Sequence, residues 1–203
     1  MPLGQERITI WQMGRHNRSR RRQSYNIPGH AHEPTFSCYR RYPFLKAERT
    51  CTWLAEAIEE ARQSQAFWLW AFVFMPDHVH LILYPNREKY DMGRILESLK
   101  RPVGEKAIAH LRGIESPWLA RLTRKRGSRV ERLFWQSGGG YDRNITSPRT
   151  LVSMIDYLHE NPLRKKLVAD PQEWHWSSVR HYAGRDSPIA IDPIPAEWLD
   201  MET

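Results

Sequence analysis

His78-Val79-His80 is the first place along the chain where residue types and spacing suggest chemistry. On a strand successive side chains alternate between faces, so His78, His80, Ile82 and Tyr84 share one face and Val79, Leu81 and Leu83 the other. The apolar face can serve a core. The opposite face then carries two imidazoles one strand repeat apart, a spacing that suits two ligands of one metal ion, although an isolated pair of this kind is more often two surface or satisfied histidines. A second pair, His30-Ala31-His32, lies in a Pro- and Gly-flanked stretch without clear alternation and is the weaker metal candidate. Tyr157 and Asn161 are four residues apart, one turn of a helix, on one flank of the stripe formed by Leu151, Met154, Ile155 and Leu158. There a phenol can meet substrate while the amide oxygen turns inward; a boundary tyrosine and a capping asparagine are the plainer alternative. His159 projects to the other flank and reads as structural or solvent-facing.

Two imidazoles, an amide oxygen and a nearby phenol together suit phosphodiester chemistry. A metal ion would polarise a non-bridging phosphate oxygen. The tyrosine would attack phosphorus and split one hard step into two reversible ones. A free phenol titrates near 10, so it needs help in losing its proton, and the sequence names no base. Tyr141 is a competing nucleophile on a Gly-rich segment.

The chain has 203 residues, with 31 Lys and Arg against 23 Asp and Glu, a net charge of +8 that favours a polyanionic partner. Hydrophobic residues at 40% and charged residues at 27% are globular proportions and exclude wholesale disorder. No apolar run approaches the roughly 18 residues of a membrane span, and the first residues lack the apolar core of a secretory signal. Two cysteines, Cys38 and Cys51, exclude a disulfide framework or a Cys-based zinc site and suggest a reducing cytoplasm.

The elements that must position these residues follow from pattern. A strand is expected over 35–42, then a helix capped by Thr50 and running to about Ser64, with Trp53, Leu54, Ala57, Ile58 and Ala61 on one face. FWLWAFVFM (67–75) reads as a buried strand, and HVHLILY (78–84) as its antiparallel partner across Pro76-Asp77. Asp91 caps a second helix that Pro102 should kink or break. Residues 121–132 read as a basic loop before a strand at about 132–136, and Gly138-Gly139-Gly140 interrupts any regular element. Ser147-Pro148 starts the last helix, which Asn161-Pro162 should end. The order β-α-β-β-α-β-α matches an α+β, ferredoxin-like antiparallel sheet with helices on one face. Residues 1–28, with Arg15, Arg18, Arg20, Arg21 and Arg22, form a basic arm; 29–183 form the main domain; 184–203 form a Pro-rich, acidic extension.

Basic residues fall in clusters that could contact phosphates: Lys100-Arg101, then Arg121, Arg124, Lys125 and Arg126, then Arg164-Lys165-Lys166. Of nine tryptophans, one or two among Trp118, Trp135, Trp174 and Trp176 could stack unpaired bases while the rest serve the core.

MPDHVHLILYP is similar to the histidine–hydrophobic–histidine strand of the HUH endonucleases. IDYLHENPLRKKLV resembles the tyrosine helix of the single-tyrosine HUH transposases, most closely the REP-associated tyrosine transposases. FWQSGGGYDRNI and EWHWSSVRHY resemble the strand before that helix and the segment after it, so the resemblance spans roughly residues 28–183. The segment SGGGYDR is more Gly-rich than in many relatives. The resemblance implies a ferredoxin-like fold and cleavage and rejoining of single-stranded or hairpin DNA through a 5′-phosphotyrosine with a free 3′-OH. It implies Tyr157 as nucleophile, His78, His80 and Asn161 as metal ligands, and Mg²⁺ or Mn²⁺ as the ion. It also implies a monomer, with a homodimer the alternative, in the bacterial cytoplasm at the nucleoid. Two rivals remain. One is a non-catalytic nucleic-acid-binding protein of the same fold. The other is a water-using metal hydrolase, disfavoured because Leu81, Ile82 and Leu83 follow the pair where further carboxylates would be needed.

Overall fold

The computed structural model describes residues 25–200, so most of the basic N-terminal arm lies outside the described residues. Four strands form one antiparallel sheet: β1 (Ala31–Ser37), β2 (Phe67–Met75), β3 (His78–Pro85) and β6 (Tyr141–Ile145), in the order β2-β3-β1-β6. Strands β4 (Thr123–Arg126) and β5 (Arg129–Arg132) form a separate hairpin. Helices α1 (Glu48–Gln65) and α2 (Met92–Gly113) pack together on one face. Helix α4 (Pro148–Arg164) covers part of the other. Short helices α3 (Trp118–Leu122) and α5 (Val179–Tyr182) complete the set.

The alternation expected along β3 holds. Val79, Leu81 and Leu83 join Leu54, Ile58, Leu99 and Val103 of α1 and α2 in one core, while Ile82 joins Leu151, Ile155 and Leu158 of α4 in the other. Strand β2 serves both cores through a bulge between Leu69 and Ala71. One extra residue there lets Phe67, Leu69, Phe72 and Phe74 face α1 and α2, while Trp70, Ala71, Val73 and Met75 face α4.

Several boundaries differ from the pattern reading. Strand β1 lies four residues earlier than 35–42, because it runs through Pro34, which an expectation based on ladder donors avoids. It therefore includes His32, and the stretch that lacked clear alternation is largely strand. Helix α1 starts at Glu48, with Ala47 and not Thr50 at its N-cap; the Ala47 carbonyl takes the Thr50 amide at 2.9 Å and Thr50 itself is buried. Asp91 does cap α2, accepting from the amides of Gly93 and Arg94 at 2.8 and 3.3 Å. Pro102 neither ends nor interrupts α2. An internal proline costs about 3 kcal/mol, and buried Ile95, Leu96, Leu99 and Val103, at roughly 1.5–3 kcal/mol each, outweigh it.

Residues 121–132 form the end of α3 and the β4–β5 hairpin rather than a loop, turning at Gly127 with φ +60°. The fourth sheet strand is 141–145 and not 132–136. Gly140 explains why the glycine run precedes it: its φ is +85°, and a Cβ there would run into the Thr35 carbonyl oxygen, so only glycine lets β6 enter beside β1. Helix α4 continues past Asn161-Pro162, with the Lys165 amide bonded to the Asn161 carbonyl at 3.0 Å and Pro162 buried.

The outer edge of β2 is covered. Residues 176–178 bond to it through Phe74 N to Trp176 O and Ser178 N to Phe72 O, both 2.9 Å. The C-terminal segment continues along it, where Asp192 accepts from the Leu69 amide and pairs with Arg62, both at 2.7 Å, and Trp198 packs edge-on against Trp70 and Tyr84.

Candidate active site

Cross-strand partners in an antiparallel sheet point to the same face. Strand β1 places Glu33, Thr35 and Ser37 on the face that carries His78 and His80, with Thr35 opposite His80 and Ser37 opposite His78. The two imidazole rings lie 5.0 Å apart between centroids, nearly perpendicular, and both residues are under a tenth exposed.

Each ring is fixed through Nδ1. His78 Nδ1 lies 2.6 Å from Asp77 Oδ1. His80 Nδ1 lies 2.9 Å from Glu33 Oε1 and 2.8 Å from Thr35 Oγ1. The Thr35 hydroxyl gives its only proton to Glu33 at 2.9 Å, so the proton between His80 and these two oxygens belongs to the imidazole. In neutral rings with Nδ1 protonated, Nε2 carries the lone pair. Neither Nε2 has a hydrogen-bond partner among the described residues. Burial pushes the His78 pKa below its ordinary value, with the Asp77 hydrogen bond opposing. A buried neutral imidazole with a carboxylate on one nitrogen and the other open is the usual preparation of a metal ligand.

Helix α4 brings Tyr157, Asn161 and Arg164 to this face at helical spacings of four and three. The Tyr157 ring is 6.3 Å from the His80 ring between centroids and is 42% exposed. Asn161 is buried, and its amide orientation is set at both ends: Nδ2 donates to the Tyr157 carbonyl at 3.1 Å and Oδ1 accepts from Arg164 Nη2 at 3.2 Å. A carbonyl oxygen has a second lone pair, so Oδ1 retains a position for a cation. The Arg164 guanidinium carbon lies 3.9 Å from the Tyr157 ring centroid, a cation–π contact that fixes the phenol's plane. Among the described residues no three His, Cys, Asp or Glu side chains converge on a common point, and the two imidazoles are the candidate ligands that stand side by side.

Tyr141 stands in the same cross-strand row as Thr35 and His80, on the same face. It is two strands from His80, about 10 Å between backbones at the usual strand spacing. His159 is not solvent-facing: it is buried, with Nε2 2.8 Å from Ser178 Oγ, and burial pushes its pKa down to about 4. It ties α4 to the segment that covers β2. His32, the better placed of the second pair, is fully buried between Asp142, at 3.0 Å, and the Tyr90 hydroxyl, at 2.8 Å. Both its nitrogens are engaged, and it is not available as a ligand.

The basic residues are less uniform than their charges suggest. Lys100 is half-buried, bonded to the Gly138 carbonyl at 2.7 Å, and Arg101 pairs with Glu105 at 2.9 Å. Both lie on α2, behind the sheet from the histidines, beside a cleft of about 780 Å³ between α2 and residues 132–139. Arg121 lies over the Trp118 ring, and Arg124 pairs with Glu131 at 2.6 Å. Lys125 and Arg126 on the hairpin, and Lys165 after α4, are exposed. Trp135 is buried, Trp174 and Trp176 pack against the two cores, and Trp118 sits against Tyr42 and Phe44.

Pattern reading missed Glu33, Thr35 and Asp77. Asp77 could have been found from its place beside His78. Glu33 and Thr35 could not, because only the β1–β3 register brings them to His80.

No protein-family model matches the chain, and no curated protein matches it. Among solved structures, a REP-associated tyrosine transposase bound to a REP hairpin is similar at 18% identity, with a TM-score of 0.60, over 86% of this chain and 92% of that one. A candidate transposase from Deinococcus radiodurans aligns at 14% identity with a TM-score of 0.43, over 68% of this chain and 96% of that one. The chain therefore shares its HUH-type, ferredoxin-like fold with a REP-associated tyrosine transposase, the family its own motifs resemble.

Proposed function

We propose that this protein is a REP-associated-type tyrosine transposase that nicks and joins single-stranded or hairpin DNA in a metal-dependent reaction. One observation carries the reading: two adjacent imidazoles, each held at Nδ1 by its own carboxylate, face a helix that presents Tyr157 and Asn161. His78, His80 and Asn161 would hold Mg²⁺ or Mn²⁺. The bound ion supplies Lewis-acid polarisation of a non-bridging phosphate oxygen.

The chain's own groups do the rest. Tyr157 Oη attacks phosphorus, the bond to the 3′ oxygen breaks, and that oxygen leaves as a 3′-OH after taking a proton. The 5′ phosphate stays on the tyrosine as an ester, which a 3′-OH can later attack to rejoin strands without an external energy source. Arg164 orients both Tyr157, through its ring, and Asn161, through Oδ1. Exposure of Tyr157 suits a substrate as large as a DNA strand. The similar transposase was solved on a hairpin, which agrees with hairpin DNA as substrate. Among the described residues no helix is long and apolar enough to cross a membrane.

The test is a covalent adduct. A 3′-labelled single strand incubated with protein and Mn²⁺ is expected to transfer its labelled downstream fragment to Tyr157 and to release the upstream fragment with a 3′-OH. No denaturant-resistant adduct with any hairpin or single strand would favour the non-catalytic binding protein.

A further inference from the structure

Two consecutive non-glycine residues, Arg40 and Arg41, have positive φ, at 53° and 57°. Left-handed geometry is disfavoured for residues with a Cβ, and strain of this kind persists where the surroundings enforce it. They do so here. The Cys38 amide bonds to the Asp77 carbonyl at 2.9 Å and the Tyr39 amide to the Phe134 carbonyl at 2.8 Å. The Arg41 amide bonds back to the Cys38 carbonyl at 3.0 Å. The chain is thus pinned at β1's end and turned sharply back.

The turn returns the Arg41 side chain over the end of the sheet. Arg41 Nε pairs with Asp77 Oδ2 at 2.7 Å and Nη1 donates to Ser37 Oγ at 2.8 Å. Asp77 is the carboxylate whose other oxygen holds His78, and Ser37 is the cross-strand partner of His78. The guanidinium is therefore fixed beside His78, on the opposite side of the histidine pair from Tyr157, which lies against His80. Its side chain is 56% exposed, and its remaining N–H donors have no partner among the described residues. A surface ion pair of this kind contributes little stability, so the strained turn is not explained by the pair it permits.

We propose that Arg41 is a phosphate-binding residue, taking the backbone phosphate of the DNA linkage next to the one that is cleaved. The site then has a fixed cation at each end: Arg41 beyond His78 and Arg164 beyond Tyr157. The planar guanidinium presents several donors in a fork that matches phosphate oxygens, and Asp77 and Ser37 prevent it from swinging away. This inference rests on the functional reading above.

The test separates the two. Oligothymidylate binding is measured against salt in EDTA, with Tyr157→Phe as the parent so that no cleavage intervenes. Arg41→Gly is the variant, because glycine relieves the positive φ while removing the side chain. Its thermal midpoint is expected to equal or exceed the parent's. Its slope of log K against log salt should fall by about 0.7, the value for one phosphate contact on a single strand. That is about 5-fold weaker binding at 0.1 M salt relative to curves that meet at 1 M. Arg41→Lys, which keeps the charge, should retain the slope. With the unsubstituted Tyr157 enzyme used only to locate the nick, one neutral methylphosphonate walked along that strand should weaken binding by the Tyr157→Phe parent at a linkage beside the cut and leave Arg41→Gly unaffected there. Equal slopes for the parent and Arg41→Gly overturn the inference alone. No binding by the parent overturns the functional reading and this inference with it.

Discussion

Glu33 is the residue whose replacement tests how the candidate metal site is built. It is buried, and a single oxygen, Oε1, accepts from both His80 and the Thr35 hydroxyl. Glu33→Ala leaves the His80 Nδ1 proton with the Thr35 oxygen alone and frees the imidazole to rotate or change tautomer. Loss of such a carboxylate behind a metal-bound imidazole typically weakens metal affinity 10–100-fold, about 1.4–2.7 kcal/mol. Glu33→Gln keeps an acceptor of nearly the same shape and loses the charge, so it should fall at the lower end. The assay is calorimetric titration with Mn²⁺, followed by nicking at low and saturating Mn²⁺. A positioning role predicts that nicking lost at low Mn²⁺ returns at high Mn²⁺, whereas Tyr157 variants stay inactive at any concentration. Thermal melts of the apo-proteins guard against unfolding. Unchanged Mn²⁺ affinity in Glu33→Ala would refute the idea that this carboxylate prepares His80 as a ligand.

Other expectations follow from the same geometry. Tyr157→Phe should abolish nicking and adduct formation while Tyr141→Phe retains both; an adduct surviving in the first and lost in the second would transfer the role to Tyr141. Replacing Arg124, Lys125 and Arg126 by Ala should lower the salt slope of DNA binding by about 1.4, two contacts at about 0.7 each, because Arg124, less exposed than Arg41, gives both Nε and Nη2 to Glu131; a fall near 2.1 would show that Arg124 also contacts phosphate. Gly140→Ala should cost at least about 2 kcal/mol from left-handed strain and the collision with Thr35, lowering the melting midpoint by roughly 4–8 °C, while Gly139→Ala, with open space at its Cβ, should be nearly silent. His159 should make the fold acid-sensitive. Its pKa is about 4 folded against about 6.5 unfolded, so the stability it contributes is complete above pH 6.5 and is lost as pH falls towards 4, by up to about 3 kcal/mol. His159→Gln should flatten the melting midpoint over that window relative to the parent, and an unchanged pH dependence would count against it.

Much of the site was legible in the chain because it rests on local periodicity. Alternation along 78–84 put both histidines on one face, and the 3.6-residue repeat put Tyr157 beside Asn161; neither needs a partner to be deduced. The same local logic gave strands β2 and β3 and the Asp91 cap. It failed where a long-range term outweighed a local preference. Burial carried α2 through Pro102 and α4 through Pro162, and strand pairing carried β1 through Pro34. The fourth strand was displaced because Gly140 matters through the backbone it touches, which sequence distance conceals. Only tertiary structure brought Glu33 and Thr35 to His80, turned Arg41 back onto Asp77, and separated held cations such as Arg124 and Lys100 from exposed ones such as Lys125. Hydrogen bonds and ion pairs depend on distances of about 3 Å between residues far apart in sequence, and those distances exist only once register and packing are fixed.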